Sequence, residues 1–475
     1  MKENAGLLAA AAQRWRATAP WPAAALDPDA AGLARYTAEG EQLISQLPSR
    51  QHRDEQQQLL AAFIFGACRD ERDRFINTHA DQVYDALTDG RTEYRRLPEL
   101  LSAATARFPG LVPDEAQLRA ENETVQMYKD GREIDQGIFV RGLLRSPAAG
   151  AHLMRAMRLP TARGRTLAGQ FRQAGRVDLG SVRIERKGRA AHLTINNPAS
   201  LNAEDNALTA DLETAVDLAL LDDGVRVGVL RGGLMTHPRY AGRRVFSAGL
   251  NLVHLRDGKI SFAEFLIGRE LGYLSKIVRG LLAAGPANAG PANGSPANGG
   301  GPAIHKPWIA AIDSFAIGGG MQVALAVDWV IAAADAYLSL PAAQEGIVPG
   351  VANFRLAGLT GGRLARRIIL GGYKIFADTQ EGRLLCDEVV PQAQVGAAID
   401  AAVRMLESPA VIANRAMLNL TVEPEDRFRQ YLAEFAFVQA HRLYSPDVLK
   451  NASQRRRRHD PGPTSPARGE TDPER

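Results

Sequence analysis

An apolar strand that runs into three consecutive glycines and then into a helix constrains this chain more than any other stretch. Trp308-Ile309-Ala310-Ala311-Ile312 reads as a buried strand. Phe315-Ala316-Ile317-Gly318-Gly319-Gly320-Met321-Gln322 follows it, with a helical run from Met321 to Val327. Glycines at such a junction let the backbone come very close to whatever is bound there. The first N–H groups of a helix have no partner inside it, and the helix dipole favours negative charge at that end. The stretch therefore suits an oxygen that becomes negative. It equally suits a tight turn that only packs the helix onto its strand, and three glycines alone do not choose between the two.

Composition narrows the setting. The 475 residues leave room for one large domain with extensions or for two to three domains, and 45% hydrophobic residues supply a sizeable core. Fifty-seven basic residues nearly balance 53 acidic ones, and much of the net charge of +4 sits in Arg455-Arg456-Arg457-Arg458. A body so balanced offers no electrostatic case for nucleic acid. Cys68 and Cys386 form no motif, which fits a reducing cytoplasm. The apolar run Leu7 to Ala12 is too short and too soon followed by Arg14 and Arg16 for a signal peptide. No stretch approaches the roughly 20 apolar residues of a membrane span. The histidines show no paired ligand spacing, and no Gly-rich dinucleotide fingerprint is present.

Residues 1–178 read as a helical domain, with apolar residues at helical spacing over Glu41–Ser49, Glu55–Cys68, Phe75–Leu87 and Ala116–Met127. From Val182 the character changes. Val182–Arg186 and Ala190–Ile195 read as strands around the turn Lys187-Gly188-Arg189. A helix over Asn206–Leu221 and a strand over Val225–Leu230 follow. Strands alternating with helices predict an α/β core of repeated ββα units over 179–400. Residues 285–301 repeat Pro-Ala-Asn and read as a mobile surface insert. Helices over Gly361–Leu370, Ala397–Leu406 and Arg427–Ala440 lead into a C-terminal helical region, 401–452. The tail, 453–475, is Arg- and Pro-rich and reads as disordered.

Four segments carry a resemblance. Phe246-Ser247-Ala248-Gly249-Leu250-Asn251-Leu252 resembles the first oxyanion-hole motif of the crotonase (enoyl-CoA hydratase/isomerase) superfamily, and Phe315 to Gln322, after His305-Lys306-Pro307, resembles the second. Asp328 to Ala336 and the turn Val348-Pro349-Gly350 match later segments in the same order. The resemblance implies the crotonase (ClpP-like) fold, acyl-CoA substrates, and an enolate held by two backbone N–H groups. By motif position these belong to Leu250 and Gly319.

The departures from the family are informative. Hydratases of this family add water with two glutamates, whose places here are taken by Gln322 and Ala342. An amide cannot act as a general base, so hydration is not expected. Glu345 lies nearby out of register and reads as a structural or oligomer-contact residue. His237-Pro238-Arg239-Tyr240-Ala241-Gly242, the segment Asp257–Ile277 with Arg269, Gln322, and Ala343 to Gly350 are instead similar to a cofactor-independent dioxygenase branch. That branch acts on 3,5-dihydroxyphenylacetyl-CoA and O2 and serves the supply of dihydroxyphenylglycine to glycopeptide antibiotics. Glu204, Arg269 and Gln322 are then implied to meet the ring hydroxyls, and Ile347 and Val448 to wall an oxygen pocket. Ser247, Ala248 and Asn251 would lie along CoA, with His237 near its phosphates. The same resemblance implies homotrimers, often paired into hexamers. Plainer readings exist: Glu204 as a cap of the helix from Asn206, Arg269 on a solvated helix face, Ile347 and Val448 as ordinary core. A crotonase-fold thioester hydrolase or isomerase, or a silent acyl-CoA-binding scaffold, also remains open.

Overall fold

The computed structural model describes residues 2–20, 23–282 and 303–449. The insert 285–301 and the tail 453–475, both singled out above, lie outside the described residues. Twelve strands occur among them: β1 (Arg176–Asp178), β2 (Val182–Lys187), β3 (Ala190–Ile195), β4 (Val227–Gly232), β5 (Leu281–Leu282), β6 (Ala303–Ile304), β7 (Trp308–Ile312), β8 (Phe315–Ile317), β9 (Trp329–Ala333), β10 (Tyr337–Ser339), β11 (Ile375–Phe376) and β12 (Glu388–Val390). The main sheet runs β1-β2-β3-β4-β7-β9-β12. Its first three strands are antiparallel, and from β3 onward all pairs are parallel. The parallel part is covered on both faces, which explains why all five residues of β7 are buried and why it reads as an unbroken apolar run. At Asp313-Ser314 the chain leaves this sheet, and β8 joins β10 and β11 in a second, three-stranded sheet. The glycine-rich junction therefore stands where two sheets meet.

The helix over Asn206–Leu221 spans the expected residues, starting at the Asp205 cap, whose carboxylate accepts the Leu208 N–H at 3.0 Å. The N-terminal helices depart from expectation in three places: the one expected over Ala116–Met127 runs Glu115–Asn122, with a separate 3-10 turn over Gln126–Tyr128. Glu55–Leu87 is one 33-residue helix kinked at His79 rather than two, opened by a reciprocal Asp54–Gln57 capping box. The helix expected over Glu41–Ser49 instead runs Leu26–Ile44. Pro48 explains the early end, since the residue before a proline is pushed out of helical geometry. Farther on, Ala352–Gly371 is broken at Gly361, where φ is 72°.

The helix Glu133–Arg145 is buried along most of its length between the long helix Glu55–Leu87 and the C-terminal helix Glu425–Leu443. One apolar cluster takes in Phe75, Ile138, Phe262, Leu271, Phe428 and Leu443, so N-terminal helices, the 255–271 segment and the C-terminal helix share a core. Glu133 ties all three: its carboxylate accepts the Phe262 N–H at 2.8 Å and the Tyr444 hydroxyl at 2.7 Å. This packing sets the Phe262–Leu274 segment and the C-terminal helix against the glycine-rich junction. No helix among the described residues is long and apolar enough to cross a membrane.

Candidate active site

The first motif is stitched to its neighbours by backbone hydrogen bonds. Glu204 N–H donates to Gly249 O at 2.7 Å and Asn251 N–H to Glu204 O at 2.8 Å, while Ile317 N–H donates to Ser247 O at 2.9 Å. The segment carrying Leu250 is thus held between Glu204 on one side and β8 on the other. Gly249 and Gly318 sit at φ 87° and 54°, where other residues are strained, and the two turns abut. Gly318 N–H is spent on Ser339 O at 2.8 Å. Among the described residues, neither the Leu250 nor the Gly319 N–H has an acceptor. Both residues line one cavity of about 160 Å³. The helix after the glycines spans only Gly319–Ala324, so it offers first-turn amides rather than a long dipole.

The polar side of the cavity is organised by Arg269. This residue lies between two π-helical segments, Phe262–Ile267 and Glu270–Leu274, a distortion common at functional sites. Its Nε donates to Glu204 Oε2 at 2.6 Å, its Nη1 to Gln322 Oε1 at 2.8 Å and Glu270 Oε1 at 3.0 Å, and its Nη2 to the Gly319 carbonyl at 2.7 Å. A guanidinium only donates, so Gln322 must turn its oxygen inward and leave its NH2 for whatever fills the cavity. Burial works against the Arg269 charge, but Glu204, Tyr273 and Glu270 outweigh it and hold the group above its usual range. Glu270 is raised from the usual carboxylate range by burial, against the pull of Arg269 and Arg355. The Tyr273 hydroxyl, also buried, is pushed well above the usual phenol range. A Cβ on Gly319 would overlap the Glu204 carboxylate, and one on Gly350 would overlap Glu270 and Gln322. The glycines here are a condition of the polar cluster as well as of the turn.

Several expected site residues meet at this cavity: Glu204, Ala248, Leu250, Arg269, Gly319, Gln322 and Ile347 all line it. Glu204 is not the cap of the following helix; Asp205 is. Arg269 is 3% exposed rather than on a solvated face. Val448 is buried and packs against Gly346, and it is not among the residues lining the cavity. Ser247 and Asn251 are buried and occupied within the fold: Ser247 Oγ accepts Gly249 N–H, and Asn251 Oδ1 caps the short helix Leu252–Arg256. His237 is exposed outside the cavity, its Nδ1 accepting the Arg239 N–H at 3.3 Å. Glu345, read from sequence as structural or an oligomer contact, lines the cavity, as does Ala342. Residues missed from sequence are Glu270, Phe265, Leu266, Phe435 and Gln439. The spacing of Phe435 and Gln439 marks one helix face but not where that face docks. Among the described residues no group of three or more His, Cys, Asp and Glu side chains is placed to hold a metal ion.

Comparison with known proteins bears on this arrangement. The enoyl-CoA hydratase/isomerase family profile matches residues 302–443. A (3,5-dihydroxyphenyl)acetyl-CoA 1,2-dioxygenase from Amycolatopsis orientalis is 50% identical over 430 residues, covering 90% of this chain and 96% of that protein. The chain belongs to the enoyl-CoA hydratase/isomerase (crotonase) family. A crotonase-family relative at greater distance, a short-chain-enoyl-CoA hydratase from Clostridium acetobutylicum, is 28% identical over 204 residues, 42% of this chain and 66% of its own length. Among solved structures, Pseudomonas aeruginosa OdaA matches with a TM-score of 0.47 and 21% identity over 58% of this chain and 98% of its own. The dioxygenase is matched through the N-terminal helices as well as the crotonase core, since 90% of the chain cannot be reached otherwise.

Proposed function

We propose that this protein is a dioxygenase that converts 3,5-dihydroxyphenylacetyl-CoA and O2 to 3,5-dihydroxyphenylglyoxylate and free CoA, without metal or organic cofactor. The observation that carries this reading is the Glu204–Arg269–Gln322 cluster facing two free backbone amides in one cavity. The 50% identity to a relative of that named activity supports it. An arylacetyl thioester carries an acidic carbon between ring and carbonyl. Loss of that proton gives an enolate, whose oxygen the Leu250 and Gly319 N–H groups would hold; one such donor is worth on the order of 3 kcal/mol. Glu204, buried at the cavity wall, is the carboxylate that would meet a ring hydroxyl or help remove the proton. Gln322 NH2 and the Arg269 guanidinium would hold the ring oxygens and favour a phenolate-like charge. The electron-rich enolate passes one electron to O2, and recombination gives a peroxide on the α-carbon. Attack of the peroxide on the thioester carbonyl expels CoA as its thiolate and closes a four-membered cyclic peroxide; loss of the second α-proton then breaks the O–O bond and leaves the α-keto acid, so the substrate supplies all the electrons.

Ile347 and Val448 would keep the oxygen site apolar, Ala248 would line the thioester path, and His237 would meet CoA phosphates at the surface. The setting we propose is cytoplasmic, in antibiotic biosynthesis, with the chain as a homotrimer or hexamer. The test is chelator-treated protein with 3,5-dihydroxyphenylacetyl-CoA in an oxygen electrode. Stoichiometric O2 uptake and thiol release are expected. Thiol release without O2 uptake would make the protein a thioester hydrolase, and binding without turnover a scaffold.

A further inference from the structure

The C-terminal helix Glu425–Leu443 lays one face along the turn 346–350, which walls the cavity. Tyr431, Phe435 and Gln439 recur at helical spacing and share that face. The Tyr431 hydroxyl donates to the Gly350 carbonyl and Arg442 Nε to the Gly346 carbonyl, while the Val348 N–H donates to Gln439 Oε1 at 2.9 Å. A backbone N–H only donates, so this last bond fixes which end of the Gln439 carboxamide is oxygen. The NH2 end is left over. Gln439 is 1% exposed, lines the cavity, and has no acceptor for its Nε2 among the described residues. A buried donor without a partner is costly, so the group is placed for an oxygen that arrives. Gln322 is built the same way: its Oε1 is taken by Arg269 Nη1 at 2.8 Å, and it packs on Gly350, where a Cβ would overlap that oxygen. The two carboxamides flank one turn, anchored at Val348 and Gly350, which lie at most about 7 Å apart along the chain. Arg269 has little left to give, since its Nε, Nη1 and Nη2 already donate to Glu204, Gln322, Glu270 and the Gly319 carbonyl.

We propose that Gln439 is a further substrate contact that sets specificity: its Nε2 donates to the second ring hydroxyl of the aryl-CoA, while Gln322 and the Arg269–Glu204 pair meet the first. The inference rests on the dioxygenase reading for the identity of the substrate. Hydroxyls at ring positions 3 and 5 diverge, so one cluster cannot serve both, and the second needs a donor from another wall of the cavity. Gln439 supplies it from the C-terminal helix, with its own oxygen already spent on Val348. A site built to hydrogen-bond a substrate hydroxyl rejects the analogue that lacks it, because the site's own donor is then left unpaired. Gln439 thus makes the cavity select a ring with two hydroxyls over a ring with one.

Binding without turnover tests it, by calorimetry on the full-length protein in the absence of oxygen. The probes are the 3,5-dihydroxyphenylacetyl and 3-hydroxyphenylacetyl derivatives of CoA in which CH2 replaces the thioester sulfur, so that neither can be hydrolysed. Wild type is expected to bind the dihydroxy probe about tenfold tighter. The single hydroxyl of the other probe goes to the charge-assisted cluster at Arg269 and leaves Gln439 unpaired. Q439M fills similar space without an N–H donor, and its preference is expected to fall to about threefold or less. Q439A, which opens space instead of filling it, is expected to lose the preference likewise. A Gln439 that only holds Val348 would weaken both probes alike and leave their ratio untouched. Equal binding of the two probes by wild type, or the wild-type ratio in Q439M and Q439A, overturns the proposal. The wild-type comparison needs no variant, and the two substitutions differ in packing, so a folding defect in one does not remove the test. Absence of O2 uptake by wild type with the thioester itself would sink the dioxygenase reading alone, because the binding ratios are measured without oxygen and decide the role of Gln439 separately.

Discussion

Gly319 is asked to do three things at once: its N–H faces the cavity, its carbonyl accepts from Arg269 at 2.7 Å, and its missing Cβ makes room for Glu204. Gly319→Ala is therefore expected to displace both the backbone donor and the Glu204 carboxylate. A loss of about 100-fold or more in kcat follows from the oxyanion donor alone. Steady-state O2 uptake checks it, with circular dichroism to confirm the fold. Gln322→Ala keeps the backbone and removes one ring-hydroxyl partner, so a smaller fall, roughly tenfold in kcat with the fold intact, is expected from the same assay. A wild-type rate in Gln322→Ala would rule out the ring-hydroxyl role. Both positions were legible in the sequence because each belongs to a motif contiguous in the chain. Glu270 was not singled out, because a lone carboxylate beside Arg269 says nothing of which oxygens it faces.

At the scale of elements, the site depends on helices that lie far from it in sequence. Glu133 accepts from Phe262 N–H and Tyr444 OH, joining the N-terminal helices to the segment that carries Arg269. Tyr444→Phe leaves one oxygen of a buried carboxylate without its donor, and a loss of about 2 kcal/mol in unfolding free energy is expected from urea titration. A second tie is the pair of guanidiniums on Glu423, Arg355 at 2.7 Å and Arg279 at 2.6 Å. Burial opposes the Glu423 charge, but the two arginines outweigh it and bring the carboxyl down to about 2. A depressed carboxyl stabilises the fold above its unfolded value near 4.3, and the contribution is lost as pH falls towards 2. The stability advantage of wild type over Glu423→Gln is therefore expected to be full above about pH 5 and to vanish between pH 4 and pH 2. Chemical unfolding at pH 6 and pH 2.5 measures it. Of these elements, Asn206–Leu221 and the strands β2, β3 and β7 were readable from periodicity. The Leu26–Ile44 helix and the π-helical distortions around Arg269 were not, since they follow from packing rather than from apolar spacing.

Over the whole molecule, the described surface carries an apolar stretch on the helix Pro409–Val422, where Met417, Leu418, Leu420 and Val422 are each more than 60% exposed. Such a surface is costly to leave in water, which accords with the proposed trimer or hexamer. The double variant Leu418→Glu, Leu420→Glu is expected to lower the assembly state, measured by analytical ultracentrifugation. An unchanged mass would remove this helix from the interface. The sequence by itself determined the α/β class, the two glycine-bearing motifs and the absence of hydratase carboxylates at 322 and 342, because each is encoded in local order and spacing. Only the tertiary structure decided that Glu204 is part of the cavity rather than a helix cap, and that Glu270, Phe435 and Gln439 share that cavity with it. Only it placed one guanidinium on Glu204, Glu270, Gln322 and Gly319 together. The physical reason is that hydrogen bonding and burial depend on distances between residues up to 235 positions apart in the chain, as from Glu204 to Gln439 across the cavity, and local periodicity carries no record of those distances.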